Sequence, residues 1–204
     1  PILNLHKHRV IKAGFKPVCT KSLAEVQSKL AELPEFFCAI IDYSLPDAPD
    51  GEAITYLLER NVPGIVMTGM LDDKVRDTIL RQPVIDYITK ESKQAFTYLK
   101  SLLENLKHNH KIKILVVDDS ASSRHFLQQL LERHHYHVLL ANSGKDALAL
   151  LSEHPEVKLV ITDKDMPHMD GLTLCNEIRA KFTKEDISII GLSGTETPSL
   201  TAKF

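Results

Sequence analysis

Three acidic residues in the second half of the chain stand where apolar runs end. Asp118 and Asp119 close the run Ile112–Val117 (ILVVDD), and Asp163 closes Leu159–Thr162 (LVITDKDMP). Short apolar runs bounded by polar residues read as buried strands, and in an open parallel sheet chemistry gathers at the carboxyl ends of the strands. Two strands therefore bring carboxylates to one edge. Carboxylates clustered in this way raise one another's pKa unless a cation neutralises them. Hard oxygen ligands with water in the remaining positions suit magnesium. Magnesium beside a carboxylate nucleophile is an apparatus for phosphoryl transfer, in which the metal holds the phosphoryl oxygens while the carboxylate attacks. Ser193-Gly194 ends a further apolar run (IIGLSG), 30 residues after Asp163. A hydroxyl there can bond a phosphoryl oxygen on Asp163, and the glycine leaves space for it. An earlier stretch repeats the set: Asp42 closes Phe37–Ile41, Thr68-Gly69 closes IVMTG, and Lys90 closes DYITK. A lysine is a suitable point charge for a phosphoryl group.

The elements that must position these residues occur twice. With the sequence shifted by 121 residues, Phe15 to Pro46 aligns on the second half without a gap. Phe15 falls on Tyr136, Ser22 on Ser143, Leu30 on Leu151, Asp42 on Asp163 and Pro46 on Pro167. The apolar pattern agrees as well, which marks two copies of one domain. The first copy reads as helix Leu3–Ala13, strand Lys16–Cys19, helix Leu23–Leu33, strand Phe37–Ile41, helix Glu52–Glu59 and strand Ile65–Met67, then helix Asp72–Leu80, strand Val84–Thr89 and helix Lys93–Lys107. In the second, strand Ile112–Val117 leads into helix Ala121–His134, with Ser120 a good N-cap. Strand His137–Ala141, helix Gly144–Ser152, strand Leu159–Thr162, helix Leu172–Lys181 and strand Ile187–Leu192 follow. Strands alternating with helices predict a parallel sheet covered on both faces. His108–Lys111 reads as a short polar linker.

Composition is that of an ordinary globular protein: 204 residues, 43% hydrophobic, 25% charged, net charge -2. So small a net charge gives no reason to expect nucleic acid or an acidic membrane surface as partner. The longest wholly apolar run, Phe36 to Ile41, is far short of a membrane span. Three cysteines without paired metal spacing suit a reducing cytosol.

The spacing of Asp118-Asp119, Asp163, Met166-Pro167, Asp170-Gly171 and Ser193 resembles the receiver domain of response regulators, over nearly the whole chain. The resemblance implies two flavodoxin-like doubly wound α/β receiver domains, each a (βα)5 unit with a parallel five-stranded sheet. They would occupy residues 1–108 and 112–204, joined by 109–111. By the same resemblance Asp163 and Asp42 are phosphoacceptors. Asp119, Asp163 and the main-chain carbonyl of Asp165 would bind Mg2+, with Asp118 supporting through water. In the first copy Ser44 resembles the carbonyl ligand, Thr68 and Ser193 the hydroxyl residues, Lys90 the lysine, and Tyr87 the aromatic that swings inward on phosphorylation. The implied partners are a histidine kinase or phosphotransfer protein, a C-terminal output domain of the same protein and a second copy in a homodimer, in the cytoplasm. The LPDAPDGE loop and the tight join to a second receiver resemble the front ends of diguanylate cyclase (GGDEF-type) response regulators, which implies control of cyclic di-GMP synthesis.

The first copy departs from the pattern. Asp42 to Thr68 spans 26 residues against 30 in its sister, the loop beside Asp42 carries one extra residue, and Lys90 precedes Glu91 where the family usually has proline. The shift of 121 places the first copy's opening strand and acidic pair before Pro1, and the second copy's last strand and helix after Phe204, so both domains are expected to be incomplete. Two other function classes compete. One is a pseudo-receiver used as a dimerisation or interaction scaffold. The other is a haloacid dehalogenase-type phosphatase, whose Asp-any-Asp opening Asp163-Lys164-Asp165 superficially fits; Pro167 and an acidic pair on a separate strand fit it poorly.

Overall fold

The computed structural model describes residues 2–33, 35–69, 73–90 and 94–193, and divides into two compact units, Pro1–Lys107 and His108–Phe204. The first unit runs through α1 (Ile2–Lys12), α2 (Leu23–Glu32), β1 (Ala39–Asp42), α3 (Glu52–Leu58), β2 (Gly64–Thr68), α4 (Asp73–Leu80), β3 (Asp86–Thr89) and α5 (Ala95–Asn109), whose last two residues, His108 and Asn109, are counted in the second unit. The second continues with β4 (Lys113–Val117), α6 (Ala121–Arg133), β5 (His137–Ala141), α7 (Gly144–Glu153), β6 (Val157–Asp163), α8 (Gly171–Arg179) and β7 (Ser188–Leu192).

Every strand pairing is parallel. The first sheet has the order β1-β2-β3 and the second β5-β4-β6-β7. All five residues of β2 and four of the five in β4 are buried, as expected where helices cover both faces. The cores follow from this. In the second unit Leu115, Val117 and Val160 face Leu151, Leu174 and Ile178 on one side, while Ile114, Val116 and Ile161 meet Leu127 and Leu131 on the other. In the first, Ile65, Met67 and Ile88 pack under α5 through Leu99, Leu103 and Leu106, and Ile41 and Val66 pack under Ile54, Leu57 and Ile79. Each such side chain contributes about 1.5–3 kcal/mol by leaving water.

Helix starts repeat between the units. The Ser22 hydroxyl accepts from the Glu25 amide (3.2 Å) and the Ser143 hydroxyl from the Asp146 amide (3.2 Å), at positions that the 121-residue shift superimposes. Ser120 caps α6 through the Ser123 amide. Among the described residues, Lys16–Cys19 is not a strand, contrary to expectation. Its counterpart β5 is held by β4, and no strand among the first unit's described residues pairs with this segment. The polar linker expected at His108–Lys111 begins inside α5: Asn109 is buried, and its side-chain amide donates to the His134 carbonyl. Gly194, Glu91, Asp72 and Lys93 lie outside the described residues. No helix among the described residues is long and apolar enough to cross a membrane.

Candidate functional site

The second unit gathers its acidic residues as their strand positions require. β4 and β6 are paired neighbours, so the residues just beyond Val117 and the last residue of β6 meet at one edge. Asp118, Asp119 and Asp163 each present a carboxylate oxygen, and these oxygens all lie within 4.8 Å of one another. Asp118 is buried, Asp163 half-buried and Asp119 exposed, so the cluster opens to solvent on one side. Burial pushes the Asp163 carboxyl above its ordinary pKa; the Lys164 amide, donating to Oδ1 at 2.8 Å, opposes this, and the nearby Asp118 and Asp165 charges add to the rise.

The main chain beneath the cluster is held firmly. The Asp118 carboxylate accepts from the Ser120 amide at 2.8 Å, which leads the chain into α6. The Arg124 guanidinium donates to the carbonyls of Asp118 (2.6 Å) and Asp119 (3.1 Å), so a cation from α6 supports the acidic pair from behind. On the other side, the Gly171 amide donates to the Lys164 carbonyl, and Asp170 caps α8 through the Thr173 amide at 2.7 Å. A Cβ on Gly171 would stand 2.3 Å from the Asp163 carbonyl oxygen, which explains the glycine of the Asp-Gly pair. Asp165 is exposed on this loop, two residues past β6. Leu192 is the register partner of Asp163, so Ser193 follows directly beside the acceptor strand.

In the first unit the same strand positions carry a different charge set. Asp42 ends β1 opposite Met67 of β2, Thr68 comes next, and Thr68 is the register partner of Thr89, which Lys90 follows. Lys90 forms an ion pair with Asp42 Oδ2, and its amide donates to the Thr68 carbonyl at 2.8 Å. Thr68 is 1% exposed, whereas Ser44, in the loop two residues past Asp42, is exposed. Tyr87 is half-buried against the Val66–Ile79–Val84 cluster; desolvation pushes its hydroxyl up, with Arg76 opposing and Asp73 adding. Among the described residues, the only such acidic cluster is the one in the second unit.

Two residues with a part in these sites were not singled out from the sequence. Arg124 is one; an arginine in the second turn of the helix after the acidic pair was its only signal. The other is Asp47, in the loop with the extra residue. Its carboxylate accepts from the Leu23 amide (2.8 Å) and the Ala24 amide (3.0 Å), which holds its pKa below the usual range and ties the loop beside Asp42 to the start of α2.

The donor set at Asp118, Asp119 and Asp163 fits a small hard divalent cation. All three ligands are carboxylate oxygens, one side is open for water, and a bound cation would relieve the repulsion that helps raise the Asp163 pKa.

Residues 114–204 match the family model for the response regulator receiver domain. The chain is 44% identical over 80 residues to a chemotaxis protein CheY homolog of Campylobacter jejuni, covering 39% of this chain and 62% of that protein's length. It is 37% identical over 94 residues to chemotaxis protein CheY1 of Helicobacter pylori, covering 45% of this chain and 76% of that protein. A crystal structure of a two-component system response regulator/GGDEF domain protein superimposes with a TM-score of 0.82 at 33% identity, over 97% of this chain and 82% of the other. With a parallel α/β sheet carrying the acidic cluster at its carboxyl edge and a second, partial sheet of the same kind beside it in sequence, the chain belongs to the response regulator receiver family of two-component signalling.

Proposed function

We propose that the second unit accepts a phosphoryl group on Asp163 in a Mg2+-dependent phosphorelay, and that the first accepts one on Asp42. The convergence of Asp118, Asp119 and Asp163 within 4.8 Å at the carboxyl edge of the sheet carries this reading. An Asp163 carboxylate oxygen attacks the phosphorus of a phosphohistidine; the new O–P bond forms as the N–P bond breaks, and the imidazole leaves as the freed base. Asp119, Asp163 and the Asp165 carbonyl would hold Mg2+, with Asp118 assisting through water; when bound, the ion offsets negative charge on the phosphoryl oxygens. The Lys164 amide orients the attacking carboxylate, Arg124 fixes the main chain of the acidic pair, and Ser193 hydrogen-bonds a phosphoryl oxygen. In the first unit Lys90 and Thr68 serve Asp42, Ser44 is the counterpart of Asp165, and Tyr87 is the switch residue.

The two units are read as receiver domains of residues 1–108 and 112–204. The phosphoryl donor is a histidine kinase or phosphotransfer protein, and the reading places the protein in the cytoplasm. The likeness to a response regulator/GGDEF domain protein supports an output through cyclic di-GMP synthesis by a domain of the full-length protein. A second reading has a specific observation in its favour. The Lys90–Asp42 ion pair, with no acidic cluster beside it among the described residues, suits a first unit that acts as an interaction module without phosphate, including in a homodimer. The phosphatase alternative gains nothing, since Pro167 and the separate-strand acidic pair remain against it. Incubation with a radiolabelled small acyl phosphate and Mg2+ tests the proposal. Incorporation should require Mg2+, be released by hydroxylamine and vanish in the Asp42→Asn, Asp163→Asn double variant. Folded protein that takes up no label, or label that survives in the double variant, would overturn it.

A further inference from the structure

The loop past Asp42 is one residue longer than the loop past Asp163, and it is held at three places. At its base, a Cβ added to Gly51 (φ +84°) would stand 2.9 Å from the Tyr43 ring. In its middle, Leu45 and Ala48 exchange main-chain bonds of 2.9 and 3.1 Å across a Pro46-Asp47 turn, and Ala48 is completely buried. At its tip, the Asp47 carboxylate accepts from the amides of Leu23 (2.8 Å) and Ala24 (3.0 Å), the first two residues of α2.

α2 does not need Asp47 in order to begin. Its own cap is complete: the Ser22 hydroxyl accepts from the Glu25 amide, and the Glu25 carboxylate accepts from the Lys21 amide at 2.7 Å. α7 starts on the same device, with Ser143 on the Asp146 amide and the Asp146 carboxylate on the Asn142 amide at 3.3 Å. The two amides that Asp47 holds are among the four that a helix start leaves without an internal partner. They serve the loop more than the helix. The second unit fastens its loop to the same spot by other means. The 121-residue shift places Leu23 on Gly144, and a Cβ on Gly144 would stand 2.5 Å from the Met169 sulfur. Met169 belongs to the loop past Asp163 and packs on the second unit's core. Each acceptor loop is thus pinned to the start of the helix preceding its acceptor strand, one by a thioether against glycine, the other by a carboxylate on two amides.

We infer that Asp47 is a positioning residue for Asp42: by fixing the tip of the longer loop, it keeps Ser44 at the place from which its carbonyl serves the metal. The inference rests on the reading of Asp42 as an acceptor with Ser44 as the counterpart of Asp165. An extra loop residue adds two soft dihedrals between Asp42 and α3. In such a site a misplacement of about 1 Å is costly. The Asp47 clasp removes that freedom without touching the phosphoryl group or the metal.

Site-resolved labelling of the full-length protein with a small acyl phosphate, over a range of Mg2+ concentrations, tests this. In Asp47→Ala the Mg2+ concentration that half-saturates Asp42 labelling should rise by about tenfold or more, while that for Asp163 in the same molecules stays unchanged. Asp47→Asn, whose side-chain carbonyl can still accept one of the two bonds, should fall between. If Asp47→Ala unfolds the first unit, the Asp47→Asn shift alone decides. A role confined to stability would lower the Asp42 plateau and leave the Mg2+ midpoint where it was; that outcome overturns the inference. Hydrogen exchange gives a second readout, in which the Leu23 and Ala48 amides of Asp47→Ala should exchange at least about tenfold faster. Unchanged exchange at both overturns the clasp whatever the labelling shows. Wild-type protein with no label on Asp42 at any Mg2+ concentration would instead strike the acceptor reading, and the inference would fall with it.

Discussion

The two units set the same aspartate at the end of the same strand and surround it with opposite charge. Asp42 is matched by the ammonium of Lys90, delivered from the strand next but one. Asp163 is met instead by Asp118 and Asp119 from the strand on its other side. Among the described residues, the difference lies in which neighbouring strand ends carry charge, since the strands bearing the acceptors correspond residue for residue. A parallel sheet thus works as a rack on which acceptor, metal ligands and counter-cation are independent insertions at adjacent strand ends. It also separates two electrostatic states. Among the described residues Asp42 is paired with a cation, whereas Asp118, Asp119 and Asp163 concentrate negative charge that a bound cation would offset.

The largest effect that could break this comparison is on metal affinity. Asp119→Ala should weaken Mg2+ binding by more than the roughly 10–100-fold that losing an outer-sphere partner costs, while Lys90→Ala should leave the measured affinity unchanged. Calorimetric titration of the intact chain checks both; Mg2+ binding that survives Asp119→Ala would place the cation elsewhere. A smaller effect is steric. Gly171→Ala forces a methyl to within 2.3 Å of the Asp163 carbonyl and should cost about 1–3 kcal/mol in denaturant unfolding. Gly69→Ala, with nothing within 4 Å of the added Cβ, should cost less than about 0.5 kcal/mol. Equal costs would mean that the loop past Asp163 is not packed as described.

The smallest effect is in pH dependence. Because the folded-state pKa of Asp163 is raised, the native second unit holds its proton more tightly than the unfolded chain does. Its ionisation therefore removes stability as pH climbs from the ordinary carboxylate value through the raised one. Without divalent cations, Asp163→Asn should stabilise the second unit near neutral pH, and the gain should disappear on acidification below that window. Added Mg2+ should reverse the order of the two proteins at neutral pH. Thermal melts at several pH values provide the check, and a gain that grows on acidification would contradict the assigned shift.

What the sequence disclosed and what it withheld divide along contact range. The strand ending at Val117 and the Ser120 cap rest on local pattern, and the structure carries both. The Asp47 carboxylate reaching the amides that begin α2 joins residues 24 apart, and nothing near either end of that contact signals the other. The reason for Gly171 is likewise a close approach to a carbonyl on another element, legible as a motif but not as a cause. Lys16–Cys19 failed as a strand: a segment becomes one only when a partner supplies its ladder, and Pro17 has no amide to give to one. Of the site residues, the aspartates at strand ends were legible individually, while Arg124's grip on two carbonyls needed the turn of α6 in space.

The central claim is the proposal that Asp163 accepts a phosphoryl group beside a metal-ready acidic cluster and that Asp42, paired with Lys90, accepts one less readily. Site-resolved mapping tests it most directly. The full-length protein is incubated with a small acyl-phosphate donor and Mg2+, its acyl phosphates are trapped with borohydride, and the peptides bearing Asp42 and Asp163 are quantified by mass spectrometry over time. The account predicts that Asp163 is labelled first and Asp42 more slowly, with both dependent on Mg2+. Label on Asp42 ahead of Asp163, or on neither in folded, Mg2+-supplied protein, would contradict it.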